Sequence, residues 1–285
     1  MMYLRDSSFD NLYAKICHNI LQYGKEISPR GLKTREIMGS TLVLENPRTR
    51  ILQNKIRNIS LPFAIGEWLW CMQKSNLLDI IQYYAPSYYK YSDDGKTLHG
   101  AYGPRILEKL PGIITILKKD RESRRGVCPV FLDSDVNRDS KDIPCTTNLH
   151  FLIRNNKLDL IVHMRSNDIY LGLPYDVFNF TMIQEYCANL LDIELGTYTH
   201  MVNSIHVYEN QYEKIHTIAS NSPSKEIEMK RMPKRDLEKQ MSHLLIAENL
   251  IRNGTDIDNF KLNEYFSFFL DILIEFQQKR FLNSK

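Results

Sequence analysis

Cys145 follows a proline at the end of a polar stretch, in Ile143-Pro144-Cys145-Thr146-Thr147-Asn148, and an apolar strand pattern begins directly after it. A thiol at such a junction can act as a nucleophile if a nearby cation lowers its pKa; the position also suits a small structural side chain. Arg165-Ser166-Asn167-Asp168 closes a later apolar run. Four polar residues there either form a strand-end turn or bind a ligand, because burying them unpaired is costly. Asp176, in Gly172-Leu173-Pro174-Tyr175-Asp176, leads into an apolar helix and reads on its own as an N-terminal helix carboxylate. His206-Val207-Tyr208 puts two hydrogen-bonding side chains on one face of a strand. Arg124-Arg125 is a basic doublet, either solvated or set to clamp a phosphate. Cys17, Cys71 and Cys187 lie in helical apolar patterns and read as buried hydrophobes.

The elements that must carry these residues follow from periodicity. Residues 8–24 read as an amphipathic helix with Leu12, Ile16, Ile20 and Leu21 on one face and Gly24 as its stop. Strand patterns cover 36–44, 127–132, 149–153 and 158–164, and Asn155-Asn156 predicts a hairpin between the last two. Residues 62–73 form a helix pattern in which Glu67 sits among Phe63, Trp68, Leu69 and Trp70. Residues 179–191 are apolar nearly all round, the pattern of a buried central helix. Residues 220–235 are polar, hold two prolines and read as a linker; helix patterns at 237–252 and 262–280 follow, separated by Asn253-Gly254.

Composition narrows the class. At 285 residues, with 43 % apolar and 25 % charged side chains, the chain suits one large folded unit and is not disordered. Lys and Arg number 37 against 34 Asp and Glu, a net +3, too balanced for bulk nucleic-acid binding. Five cysteines without C-x-x-C spacing argue for a reducing compartment, against a disulfide framework and against a zinc ribbon; no metal is expected. The charged start and the lack of a long apolar run predict a soluble, cytoplasmic protein with no membrane partner.

Taken together, the order and intervals of these residues resemble the thymidylate synthase and deoxycytidylate hydroxymethylase superfamily. Arg165 follows Cys145 by 20 residues, and Asp176 and His206 follow Arg165 by 11 and 41, the family's ungapped spacing. Upstream, Glu67-Trp68-Leu69-Trp70, Gly100-Ala101-Tyr102-Gly103 and Ser123-Arg124-Arg125 resemble three further family motifs. The resemblance covers roughly residues 10–215.

It implies an α+β fold with a large mixed β-sheet packed with helices, and a homodimer joined sheet to sheet. The implied division is a catalytic domain over 1–219 and a polar linker with a helical extension over 220–285. The implied activity is one-carbon transfer from 5,10-methylenetetrahydrofolate to carbon 5 of a pyrimidine nucleoside monophosphate, after attack of Cys145 on carbon 6. Glu67 would organise water for proton transfers, and Tyr102 would lie beside the thiol. Arg165 and Ser166 would bind the phosphate, joined by Arg124 and Arg125 from the other subunit. His206 and Tyr208 would hold the sugar hydroxyl, and Asp168 the pterin. Arg30 stands one place after the position matching the family's phosphate-loop arginine, which is Pro29 here. Tyr88 and Tyr91 replace the tryptophans that pack on the folate in synthases. Thr146 follows the cysteine, as in the hydroxymethylases, where synthases usually have His. Asp176 stands where synthases have Asn, and a carboxylate matches the amino-bearing edge of cytosine. A (deoxy)cytidylate 5-hydroxymethylase is therefore expected, with thymidylate synthase acting on dUMP as the alternative. A non-catalytic nucleotide-binding protein is the reading from another class; Cys145 and Glu67 speak against it, because binding alone needs neither.

Overall fold

Ser8 accepts the N–H of Asn11 and starts the first helix, and the N–H of Gly24 donates to the carbonyl of Ile20 at its end. In chain order the elements are β1 (Met2–Asp6), α1 (Phe9–Tyr23), β2 (Lys25–Ile27), β3 (Thr34–Leu44), α2 (Leu61–Met72), α3 (Leu78–Tyr84), α4 (Tyr102–Leu107) and α5 (Leu110–Lys119). Then come β4 (Val127–Pro129), β5 (Thr146–Arg154), β6 (Lys157–Asp168), α6 (Leu173–Leu190), β7 (Glu194–Tyr208), α7 (Tyr212–Ser220), α8 (Leu237–Arg252) and α9 (Glu264–Asn283). The computed structural model describes residues 1–221, 226–255, 257 and 260–283. They fall into two compact units.

The first unit comprises Met1–Ile59, Lys109–Val136 and Pro144–Met229. Its strands run β1-β3-β7-β6-β5-β4, with β2 also paired to β3. The pairs β1/β3 and β6/β7 are parallel and the others antiparallel, giving the expected mixed sheet. Asn155 and Asn156 both take left-handed backbone angles (φ 49° and 57°), the requirement of a tight two-residue turn between β5 and β6. α6 then carries the chain across to the parallel neighbour β7. It starts at Leu173, earlier than the apolar run at 179 suggests, because Pro174 suits a first helical turn. Gln184 of α6 donates to the carbonyls of Leu158 in β6 and Thr197 in β7, both at 2.9 Å, fastening the helix to both strands.

Part of the expected linker belongs to this unit. Arg48 Nε donates to Glu228 at 2.8 Å, and the N–H of Met229 to the carbonyl of Arg48 at 2.9 Å. Residues 222–225 of that stretch lie outside the described residues.

The second unit comprises Ser60–Glu108, Asn137–Ile143 and Lys230–Lys285. α2 is capped by Ser60 and buries Phe63, Ala64, Ile65, Trp68, Leu69 and Trp70. Its neighbours include α3, α4, α8 and α9. The helices read from sequence as an extension thus share a core with residues 60–108: the rings of Trp68 and Phe269 lie 5.3 Å apart. Glu248, fully buried, accepts from Tyr84 Oη (2.8 Å), Gln73 Nε2 (3.0 Å) and Arg252 Nε (3.0 Å). Three donors satisfy a carboxylate that would otherwise be costly to bury.

Candidate active site

Cys145 is half-buried, whereas Cys17, Cys71, Cys128 and Cys187 are buried. Burial raises the pKa of Cys17, Cys128 and Cys187, that of Cys128 to about 11, which keeps these thiols protonated and inert. Cys145 sits at the entry to β5, beside β6. The main-chain N–H of Arg165 donates to the carbonyl of Cys145 at 2.8 Å, and Arg165 Nε to the carbonyl of Pro144 at 3.0 Å. An exposed guanidinium is thereby anchored next to the one thiol that solvent reaches. Ser166 follows on β6, opposite Ser204 of β7.

The end of β6 gathers a second group. Asp168 pairs in register with His206. Its Oδ1 accepts the N–H groups of Tyr170 (2.6 Å) and Leu171 (2.7 Å) and so closes the turn into α6. Burial raises its pKa, and Oδ2 is buried with no hydrogen-bond partner among the described residues. His206 and Tyr208 share a face of β7, their rings edge to face at 5.3 Å. Asp176 lies in the first turn of α6, where Asn167 Nδ2 donates to its Oδ2 at 2.7 Å. Asn167 Oδ1 meets His200 Nε2 at 3.0 Å, and His200 Nδ1 meets Tyr198 Oη at 2.7 Å.

Three arginines complete this unit. Arg30 is exposed on the turn Pro29–Gly31, with left-handed angles (φ 55°, ψ 28°). Thr34 just beyond it pairs with Tyr208, which places the turn at the His206–Tyr208 end of the sheet. Arg124 and Arg125 are exposed ahead of the edge strand β4. The carbonyl of Arg124 bonds His150 Nε2 at 3.1 Å, and Gly126 accepts the N–H of Phe151 at 2.8 Å. Phe151 is six residues along β5 from Cys145, a separation of roughly 20 Å at strand rise. Within one chain the doublet is therefore not brought to its own Cys145.

In the second unit, Glu67 projects from α2 and accepts from Tyr88 Oη at 3.1 Å. Burial pushes its carboxyl up to about 7, so it exchanges a proton near neutrality. Tyr88 packs on Phe63 (5.6 Å) and edge to face on Tyr91 (5.6 Å), whose ring is half exposed. Tyr102 begins α4 and is half-buried.

Sequence reading gave Asn167 no role of its own and passed over His200 and Tyr198. Asn167 lies inside the quoted Arg-Ser-Asn-Asp cluster, and Tyr198-x-His200 repeats the two-residue spacing of His206-x-Tyr208. That spacing was the available signal. Among the described residues, no group of three or more His, Cys, Asp or Glu is placed to hold a metal, and no helix is long and apolar enough to cross a membrane.

Comparison with known proteins gives this arrangement its context. The chain is 31 % identical over 219 residues to a deoxyuridylate hydroxymethyltransferase of Bacillus phage SP01, covering 70 % of this chain and 57 % of that protein. It is 33 % identical over 187 residues to the deoxyuridylate hydroxymethyltransferase of Pseudomonas phage M6, covering 63 % and 53 %. This chain thus spans little more than half the length of these phage relatives. It is also 26 % identical over 286 residues to the thymidylate synthase of Bacillus licheniformis, covering 91 % and 95 %. The family model described as thymidylate synthase matches residues 11–267, running past the motifs into α9. With the mixed sheet, the held Cys145 and this match across most of its length, the chain belongs to the thymidylate synthase family.

Proposed function

We propose that this protein transfers a one-carbon unit from 5,10-methylenetetrahydrofolate to carbon 5 of a pyrimidine nucleoside monophosphate and releases a 5-hydroxymethyl cytidylate. The observation that carries the reading is the placing of Cys145, Arg165 and Asp176 in one unit: a solvent-reached thiol, a cation anchored beside it, and a carboxylate held at the start of α6.

The Cys145 thiolate attacks carbon 6 of the ring, forming a carbon–sulfur bond and moving the C5=C6 electron pair toward carbon 5. Arg165 favours the thiolate and, with Ser166 and Arg30, binds the phosphate. His206 and Tyr208 hold the sugar hydroxyl. The folate, when bound, supplies a one-carbon unit at the methylene level. Asp168 Oδ2, buried without a hydrogen-bond partner among the described residues, fits a pterin N–H, and the family resemblance gives Tyr88 and Tyr91 to the folate as well. Carbon 5 takes that unit, and loss of the carbon 5 proton then breaks its bond to the folate, releasing tetrahydrofolate and leaving an exocyclic methylene. Water adds to the methylene carbon as the carbon–sulfur bond breaks, which restores C5=C6, frees the Cys145 thiolate and gives hydroxymethyl. Glu67 and Tyr102 serve the proton transfers, since a carboxyl titrating near neutrality can both take and return a proton.

Two further points belong to this reading. The active species is a homodimer in which Arg124 and Arg125 reach the partner's phosphate; their exposure and their distance from their own Cys145 support it. The base is cytosine, because the Asp176 carboxylate accepts from an exocyclic amino group and opposes the lone pairs of a uracil carbonyl. A second reading, hydroxymethylation of deoxyuridylate, is favoured by the names of the phage relatives. One experiment separates them: incubate the protein with methylenetetrahydrofolate and each of dCMP, CMP, dUMP and UMP, and identify products by mass. Hydroxymethyl product from a cytidylate is expected. Product from dUMP alone gives the second reading its place, methylated dUMP makes the protein a synthase, and tight binding without product makes it a non-catalytic binder.

A further inference from the structure

Four polar side chains form one continuous line in the first unit, from β7 through β6 to α6: Tyr198, His200, Asn167 and Asp176. Tyr198 and His200 are 1 % exposed and Asn167 is 4 % exposed. Polar groups this deep are costly unless each is paired, and here each is.

The chemistry of the groups fixes the direction of every bond. The Asn167 amide nitrogen can only donate, so it points at Asp176 Oδ2; the reverse orientation would set amide lone pairs against a carboxylate. Its Oδ1 can only accept, so His200 Nε2 carries the ring proton. Burial drives the His200 pKa down to about 3, so the ring is neutral and Nδ1 is an acceptor for the Tyr198 hydroxyl. One tautomer and one amide orientation satisfy the line. Gly172 leaves room for it: a Cβ there would lie 3.1 Å from Asn167 Nδ2 and 3.3 Å from Asp176 Oδ2, tighter than most real contacts.

We propose that Tyr198, His200 and Asn167 are positioning residues that hold the Asp176 carboxylate as a fixed hydrogen-bond acceptor and thereby set the preference for an amino-bearing over a carbonyl-bearing pyrimidine edge. The inference rests on the reading that Asp176 meets the base. A carboxylate oxygen that accepts the Asn167 N–H is held in one rotamer. Without His200, the Asn167 oxygen loses its anchor, the amide turns, and Asp176 meets either base edge loosely. Discrimination then falls while the nucleophile and phosphate site stay as they were.

The test uses the full chain and compares dCMP with dUMP, by kcat/KM in the wild-type background and by Kd in the Cys145→Ser background, which needs no turnover. His200→Phe removes both ring nitrogens at similar volume, and His200→Gln keeps an N–H near the Nε2 position. We expect His200→Phe to shrink the dCMP:dUMP ratio about ten- to hundredfold, the equivalent of one mispaired buried group, and His200→Gln to restore most of it. Equal loss toward both nucleotides, with the ratio unchanged, would show a purely structural role and overturns the proposal. If His200→Phe does not fold by circular dichroism, Tyr198→Phe carries the test, since it deletes one oxygen; a drop of about threefold or more in the ratio is expected, and no change overturns the proposal. Asp176→Asn run in parallel separates the two levels. If it leaves the ratio unchanged, the base reading itself fails; if it shifts the ratio and the His200 and Tyr198 variants do not, the relay alone fails.

Discussion

The main-chain N–H of Arg165 donates to the carbonyl of Cys145 at 2.8 Å, so the cation and the thiol are tied by the backbone of two adjacent strands. Arg165 Nε adds a bond to the carbonyl of Pro144. The sheet sets the spacing of the two main chains, and the Nε bond holds the Arg165 side chain back toward Pro144.

It follows that the thiol can be changed without disturbing the phosphate site. Cys145→Ser should lower turnover by about a thousandfold or more, because a hydroxyl lacks thiolate character. Nucleotide affinity, measured by calorimetry, should stay within a few-fold of wild type. Substantial turnover in this variant contradicts covalent attack.

Arg124 and Arg125 give a test of assembly. Each of Cys145→Ser and Arg124→Ala/Arg125→Ala should be inactive alone. Mixed after co-refolding, they should regain part of the activity, because some mixed dimers then hold one intact site. An active monomer in sedimentation experiments speaks against the shared site.

Base choice turns on Asp176. Asp176→Asn should move the kcat/KM preference from a cytidylate toward dUMP by about ten- to hundredfold, since the amide can donate to a carbonyl that the carboxylate repels. A preference for dUMP already present in the wild type would remove the basis for this expectation.

Glu67 should leave its mark on pH dependence. Its carboxyl is raised from the ordinary 4.5 to about 7 by burial, so the folded chain binds that proton more tightly than the unfolded chain. The contribution to stability is full below about pH 4.5 and is lost as pH rises to about 7. Glu67→Gln should flatten denaturant midpoints across that window. It should also remove a limb of the rate profile near pH 7 and lower kcat by about a hundredfold or more. A limb that persists in Glu67→Gln belongs to another group.

The helix that carries Asp176 rests on a buried ion pair. Arg50 Nη2 meets Glu185 Oε2 at 2.5 Å, and Arg50 Nε donates to the carbonyl of Pro47 at 2.9 Å. Arg50→Met leaves Glu185 without that partner and should destabilise the protein by about 3–5 kcal/mol in urea unfolding. A change below about 1 kcal/mol would mean that Arg48, 3.6 Å from Glu185, compensates.

Local chemistry was readable wherever it acts over a few residues. The Ser8 cap and Gly24 stop and the Asn155-Asn156 turn stand in the sequence as the structure has them, and the apolar run at 179–191 marks all but the first turns of α6. Of β7 only the end at His206–Tyr208 announced itself. Its buried positions run 196, 198, 200 and 202, then 205 and 207, so the alternation slips at Asn203 and two of the buried side chains are Tyr198 and His200. Those polar residues can be interior only because Asn167, on a neighbouring strand, completes their bonds. For the same reason residues 220–285 read as a linker and helical extension: Trp68 and Phe269, or Tyr84 and Glu248, are more than 160 residues apart and meet only when the chain has folded. Periodicity reports what a segment can do with its own neighbours in sequence. The partners that make a buried histidine or a buried glutamate tolerable are supplied by packing, and only the tertiary structure names them.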